Sequence, residues 1–161
     1  MVDAAAPAQG SSGERVTEIE QSIRIDAPPE RVWAYFTDPA RLARWWGRAQ
    51  ADPRPGGALR VAMDGGPDPV MSGEFVELEP YERLVFTFGW EPAPEVPDIP
   101  PGGSRVEVEL RPDGAGTVVT LRHSGLPATL RGETTDGWRT VLGRLANEAA
   151  AGDYEGDEVS R

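Results

Sequence analysis

The stretch TDGWRTVLGRLANEAAA, residues 135–151, places apolar side chains at helical spacing near the end of the chain. The residues at i, i+3, i+4, i+7, i+8 and i+11 are Trp138, Val141, Leu142, Leu145, Ala146 and Ala149. This stripe predicts one long helix with a single apolar face, beginning near Leu130 or Thr135. Because Gly137 and Gly143 lower its intrinsic helicity, packing against the rest of the protein must hold it.

The segments before this helix predict strands and two short helices. Apolar and polar residues alternate over residues 16–26, which indicates a half-buried strand. Asp26 or the Pro28-Pro29 pair then begins a short helix over residues 30–37, which Asp38-Pro39 ends. Residues 40–46 predict a second short helix, and Gly47 is suited to end it. Further segments between Gly- and Pro-rich turns predict strands at residues 58–64, 71–79, 83–90, 104–111 and 117–123. The long helix is the element able to cover this antiparallel sheet of about six strands, which gives an α+β fold.

The two ends of the chain differ in composition from its middle. Residues 1–15 are rich in Ala, Pro, Gly and Ser and predict a disordered N-terminal arm. Residues 152–161, GDYEGDEVSR, predict an acidic disordered tail. Residues 16–151 form one domain. Within it, the Pro-rich segment of residues 91–103 is long for a hairpin, and it is either a surface insertion or a lid.

Composition excludes several kinds of chemistry. The 161 residues include no cysteine, no lysine and one histidine, His123. A disulfide framework, a thiolate nucleophile, a Schiff-base lysine and a Cys/His metal centre are therefore excluded, and we expect no metal and no cofactor. The net charge of −11 argues against nucleic acid and anionic membranes as partners. No apolar run is long enough to span a membrane and no signal sequence is evident, so we expect a cytoplasmic protein.

The five tryptophans are the most informative residues for function. Trp45 and Trp46 are adjacent on a helix, so their rings should point about 100° apart. We therefore expect one ring to enter the core and the other to line an opening. If sheet and helix do not meet completely, an apolar cavity is lined by Trp45, Trp46, Met63, Phe75, Phe86, Phe88, Trp90, Trp138 and Leu142. The alternative is that these residues simply pack the core.

His123 is a weak candidate for a catalytic base, because it lies at the end of a predicted strand with no recognisable partner in the sequence. The alternative is a histidine that is hydrogen bonded near a strand end. If the cavity binds a ligand, Arg60, Arg122 or His123 would orient its polar end.

Three stretches resemble a known family. They are IRIDAPPERVWAYFTDPARLARWWG (23–47), SGEFVELEPYERLVFTFGW (72–90), and HSGLP (123–127) with the following GWRTVLGRLA (137–146). The chain resembles the START-like helix-grip superfamily, also called SRPBCC, within the branch of homologues of the activator of heat-shock protein 90 ATPase. The resemblance implies a curved antiparallel sheet around a long C-terminal helix, with an apolar cavity between them. Superfamily members bind lipids, hormones or polyketides, and some are cyclases.

Three functions follow from the cavity and the resemblance. The leading hypothesis is non-enzymatic binding of a small hydrophobic or aromatic molecule by a monomer or homodimer. The first alternative is a stress-related co-chaperone of a bacterial homologue of heat-shock protein 90. The second is an enzyme similar to polyketide cyclases and dehydratases.

Overall fold

The computed structural model describes residues 17–63, 70–92, 99–100 and 102–151. The predicted N-terminal arm and acidic tail, and most of the Pro-rich segment, lie outside these residues. The elements in chain order are β1 (Thr17–Ile25), α1 (Pro29–Thr37), α2 (Pro39–Trp45), β2 (Gly47–Ala51), β3 (Ala58–Met63), β4 (Val70–Glu79), β5 (Arg83–Phe88), β6 (Ser104–Asp113), β7 (Gly116–Leu126) and α3 (Arg131–Ala151). A short 3₁₀ turn, Ala128–Leu130, precedes α3.

The described strands form one curved antiparallel sheet in the order β1-β7-β6-β5-β4-β3-β2. The predicted α+β helix-grip fold is confirmed, with seven strands rather than about six. The additional strand is β2, whose first residue, Gly47, had been expected to end a helix. Its backbone pairs with β3, and a Cβ at Gly47 would lie 2.4 Å from the Ala62 carbonyl oxygen. Glycine is therefore required by this close strand pairing.

Helix α3 covers the concave face of the sheet and closes the core. Its buried residues are Trp138, Leu142, Leu145 and Ala149, as the apolar stripe predicts. Gln21 of β1 donates from Nε2 to the Thr135 carbonyl oxygen at 2.9 Å, which ties the start of α3 to the sheet. Tyr35 of α1 donates to the Glu148 carbonyl oxygen at 3.2 Å. Both ends of α3 are thus fixed by polar contacts as well as by apolar packing. No helix in the described ranges is long and apolar enough to cross a membrane.

The rings of Trp45 and Trp46 stack on each other instead of diverging as expected. Both rings are buried, with 1% of Trp45 and 4% of Trp46 exposed. Their centroids are 5.3 Å apart and their planes differ by only 20°. The expected divergence assumed a continuous helix, but α2 ends at Trp45 and the chain turns at Trp46 into β2. The Trp45 indole N–H donates to the Tyr35 carbonyl oxygen at 2.8 Å, which satisfies its buried polar group.

Candidate ligand-binding site

Four aromatic rings form a continuous wall between the sheet and the first half of α3. The Trp138 centroid lies 5.3 Å from that of Trp46 and 5.9 Å from that of Phe88. Phe88 in turn lies edge-on to Trp90 at 5.4 Å. The rings come from the end of α2, the end of β5, the residues after β5, and α3. Packing of helix against sheet therefore assembles the wall, which is called the aromatic wall below.

A cavity of about 150 Å³ lies against the aromatic wall. Its lining residues are Trp46, Phe88, Trp90, Glu133, Thr134, Gly137, Trp138 and Val141. Trp46, Phe88 and Trp138 are buried and form the floor, whereas Glu133 and Gly137 are exposed and mark the mouth. The cavity is therefore apolar at depth and acquires polar groups at the surface.

The cavity opens to the surface through a gap on α3 between Glu133 and Val141, which is called the notch below. Glu133, Gly137 and Val141 follow each other at four-residue spacing and so share one side of the helix. A Cβ built at Gly137 meets no other atom within 4 Å. Gly137 is therefore not required by close packing, and its missing side chain leaves the space between Glu133 and Val141 open.

His123 is hydrogen bonded at both ring nitrogens. The Trp138 indole Nε1–H donates to His123 Nδ1 at 2.9 Å, and His123 Nε2 lies 2.8 Å from Ser104 Oγ. Ser104 Oγ donates to the Phe88 carbonyl oxygen at 2.8 Å. Because an indole nitrogen can only donate, Nδ1 accepts and the imidazole proton lies on Nε2, facing Ser104. The chain of bonds therefore has one direction, from Trp138 through His123 and Ser104 to the backbone of β5.

Burial lowers the pKa of His123 from 6.5 to about 4. The ring is fully buried and packs edge-on against Phe88 at 4.6 Å. The neutral form is the one that accepts the Trp138 hydrogen bond. With both nitrogens engaged, the structure gives His123 the geometry of a residue that positions the aromatic wall.

The structure divides the sequence-predicted ligand residues into two groups. Those that line the cavity are Trp46, Phe88, Trp90 and Trp138. Those buried in the core beside them are Trp45, Phe75, Phe86 and Leu142. The remaining candidate, Met63, ends β3 and pairs with Gly47, but its side chain lies outside the described residues.

Part of the helix side of the cavity was not predicted from the sequence. Glu133, Thr134 and Gly137 line it but are not apolar, so a search for a hydrophobic surface does not find them. The available signal was their spacing, since Gly137 and Glu133 lie four and eight residues before Val141, which belongs to the apolar stripe.

Neither arginine suggested as a ligand contact lines the cavity. Arg60 forms a bidentate ion pair with Glu91, in which Nε donates to Oε2 at 2.6 Å and Nη2 donates to Oε1 at 3.0 Å. This pair raises the pKa of Arg60 and lowers that of Glu91, chiefly through the side-chain hydrogen bonds. Arg122 is hydrogen bonded to Glu109 at 3.1 Å across neighbouring strands. Both guanidinium groups are therefore committed to carboxylates elsewhere.

A larger open groove of about 680 Å³ lies between the start of α1 and the turn that joins β4 to β5. Glu30, Glu79, Glu82, Arg83 and Tyr81 are among the residues that line it. Its charged rim does not match an apolar ligand, so the smaller aromatic cavity is the better candidate site.

Among the described residues, no group of three His, Asp or Glu side chains is placed to hold a metal ion.

The sheet, the covering helix and the cavity between them define a helix-grip protein. Residues 26–150 match the family model described as "Activator of Hsp90 ATPase homolog 1-like protein", and the chain belongs to this family. The resemblance drawn from the sequence is thereby confirmed.

An uncharacterized protein of Schizosaccharomyces pombe is 32% identical over 128 residues. The match covers 73% of this chain and 33% of that protein, so the chain spans about one third of its curated relative.

Solved structures share the fold. A protein of Chromobacterium violaceum is 27% identical with a TM-score of 0.72, covering 83% of this chain and 96% of its own. An AHSA1-like protein of Rhizobium etli is 36% identical with a TM-score of 0.65, covering 87% and 88%. DynU16, described as a putative protein in the dynemicin biosynthetic locus, is 27% identical with a TM-score of 0.70, covering 84% and 48%.

Proposed function

We propose that this protein binds a small apolar or aromatic group in the cavity against the aromatic wall, without converting it chemically. The observation that carries the proposal is the cavity itself, whose floor is made of three buried aromatic side chains. Concave sites with mostly apolar walls and a few polar groups are typical of small-molecule binding.

The volume limits the size of the ligand. A cavity of about 150 Å³ is below the usual range for drug-sized ligands and close to one that accommodates benzene. The bound group is therefore about as large as a single ring, and any larger ligand must extend out past Glu133 and Gly137. The free energy gained by burying one ring only slightly exceeds the cost of association. We therefore expect weak binding, with a dissociation constant on the order of 0.1 to 1 mM.

Tryptophan indole signals provide a direct test. In a ¹H–¹⁵N spectrum, titration with benzyl alcohol or cyclohexanol should shift the indole signals of Trp46, Trp90 and Trp138 with saturation. The Trp33 signal is the internal control, because Trp33 lies on α1 and contacts Tyr81 instead, at 6.1 Å. Saturable shifts confined to the cavity tryptophans support the proposal. Their absence at ligand concentrations of several millimolar contradicts it.

Filling the notch is expected to separate binding from stability. In Gly137→Leu, the new side chain enters the open space between Glu133 and Val141, so ligand-induced indole shifts should be lost. Stability should rise by about 1 kcal/mol, because leucine is the better helix former. Urea denaturation and the same titration measure the two effects.

Gly143→Leu is the matched control for this variant. Gly143 also lies on α3 with no atom within 4 Å of a built Cβ, but it does not line the cavity. The control should gain similar stability and bind the ligand like the wild type. Equal loss of binding in both variants would show that the notch is not the entrance.

A co-chaperone function is the second candidate, and the family description is what favours it. In this candidate function, the protein acts in a cytoplasmic stress response, as a monomer or homodimer that binds a bacterial homologue of heat-shock protein 90. The acidic surface would then favour rapid association at low salt. Stimulation of that chaperone's ATPase by the purified protein supports this candidate, and unchanged turnover with no complex at low salt rejects it.

An enzymatic function is the third candidate, suggested by DynU16 and its biosynthetic locus. Both ring nitrogens of His123 are engaged, which leaves Glu133 as the titratable residue that lines the cavity. If a cyclase or dehydratase activity is found, Glu133→Gln should abolish it. Activity that survives this substitution would exclude a mechanism based on the cavity carboxylate.

A further inference from the structure

The polar groups around the cavity differ in kind from those of a site that binds anions. Glu133 contributes a carboxylate and Thr134 a hydroxyl, and none of the described lining residues is an arginine. The indole N–H of Trp138 is already donated to His123. The cavity therefore presents aromatic surfaces and one negative charge, with no positive side chain to balance a ligand's negative charge.

Aromatic faces attract cations. The π system of tryptophan carries negative charge on its faces, and a cation within about 6 Å of the ring centroid is stabilised by roughly 0.5 to 2 kcal/mol. Here three indole rings and one phenyl ring line the same small space. The attraction is larger in a partly desolvated site, and the floor residues Trp46, Phe88 and Trp138 are buried.

The charge at the mouth of the cavity also favours a cation. Glu133 lies in the first turn of α3, where the helix end carries about half a positive charge. A full carboxylate outweighs that partial charge, so the field at the mouth favours a cation. The net charge of −11 acts in the same direction at long range.

We infer that the cavity selects a small alkylated ammonium group over a neutral or anionic group of the same shape. The inference rests on the proposed binding function and names its ligand class. The alkyl groups fill the space against the aromatic wall, and the positive charge faces the rings and the Glu133 carboxylate. A single-ring volume accommodates such a head group, while the remainder of the ligand extends through the notch at Gly137.

A series of three shape-matched probes tests the inference. Choline carries the cation, its neutral carbon isostere has a tert-butyl group in place of the trimethylammonium group, and tert-butylacetate carries a negative charge. Each is titrated into the full chain while the indole signals are followed. Choline is expected to bind roughly tenfold more tightly than the neutral isostere, and tert-butylacetate to bind most weakly.

Two variants locate the source of that preference. Glu133→Gln removes the charge from an exposed residue and should reduce choline affinity severalfold, with little effect on the neutral isostere. Trp90→Leu keeps an apolar wall but removes a π face, so it should also weaken choline selectively. Glu148→Gln is the matched control, since Glu148 is on α3 but does not line the cavity.

The outcomes separate the inference from the function on which it rests. If choline and its isostere bind equally, or the neutral or anionic probe binds more tightly, the charge preference is wrong while the apolar site stands. If no probe gives saturable shifts, both the inference and the proposed binding function fail. If choline is preferred and both Glu133→Gln and Trp90→Leu reduce that preference while Glu148→Gln does not, the inference is supported.

Discussion

Replacing Trp138 with alanine is expected to lower the free energy of unfolding by about 4 to 5 kcal/mol. Trp138 is 3% exposed and packs against Trp46, Phe88 and His123. Truncation of a buried tryptophan costs about 3 to 5 kcal/mol through lost burial and the cavity left behind. The substitution also leaves His123 Nδ1 without its donor, which adds to the cost. Because small domains have about 5 to 15 kcal/mol in total, this variant should be close to unfolding.

Two comparisons separate the parts of this effect. Trp138→Phe keeps most of the apolar volume and removes the indole donor, so it should lose about 1 to 3 kcal/mol. Trp33→Ala removes a tryptophan that is only partly buried and should cost clearly less than Trp138→Ala. Urea denaturation measures all three. If Trp138→Ala is no less stable than Trp33→Ala, then Trp138 does not have the central packing role that the structure assigns to it.

The large elements of the fold were predictable because burial follows a simple period. In α3, four of the six stripe residues are buried, namely Trp138, Leu142, Leu145 and Ala149, and the other two, Val141 and Ala146, are partly buried against the core. In β6, apolar and charged residues alternate, and the apolar ones, Val106, Val108 and Leu110, are all buried. In these segments one face meets the core and the other meets solvent, so the sequence pattern and the structure carry the same information.

Strand β2 was missed because its sequence carries no such pattern. GRAQA contains small and polar residues, and only Gly47 in it is buried. The strand exists because its backbone pairs with β3 at the edge of the sheet. Tertiary pairing of this kind depends on a neighbour that is distant in sequence, so local propensity does not reveal it.

The candidate site was predictable in part for a similar reason. Aromatic residues at apolar positions were recognisable as members of one surface, and the structure brings Trp46, Phe88, Trp90 and Trp138 together. The hydrogen bonds of His123 could not be predicted, because they depend both on the β6–β7 register and on how α3 docks against the sheet. No single segment contains that information.

His123 should make the protein less stable as the pH falls below about 6.5. The pKa of His123 is about 4 in the folded protein, because the ring is buried, and about 6.5 in the unfolded chain. Between these values the unfolded chain binds one proton more, so the folded state loses about 1.4 kcal/mol per pH unit. The full contribution, about 3 kcal/mol, is present above pH 6.5 and absent near pH 4.

Protonation also disrupts a specific contact. An imidazolium carries hydrogen on both nitrogens, so its Nδ1–H would face the Trp138 indole N–H, and neither group can accept. The measurement is urea denaturation at several pH values from 7.5 down to about 5. That range stays above the sequence pI of about 4.5, where loss of net charge favours precipitation.

His123→Gln is the variant that isolates this titration. Glutamine does not titrate in this range, and the carboxylates of the protein contribute the same background to both proteins. The variant should be less stable at pH 7.5 because the hydrogen bonds change. Between pH 6.5 and 5, however, its free energy of unfolding should fall less steeply with pH, by the amount that corresponds to about one proton fewer taken up on unfolding. The ring signals of His123 give a second readout and should not titrate near pH 6.5. Parallel stability curves, together with an ordinary titration of that ring, would show that His123 is not held neutral between Ser104 and Trp138.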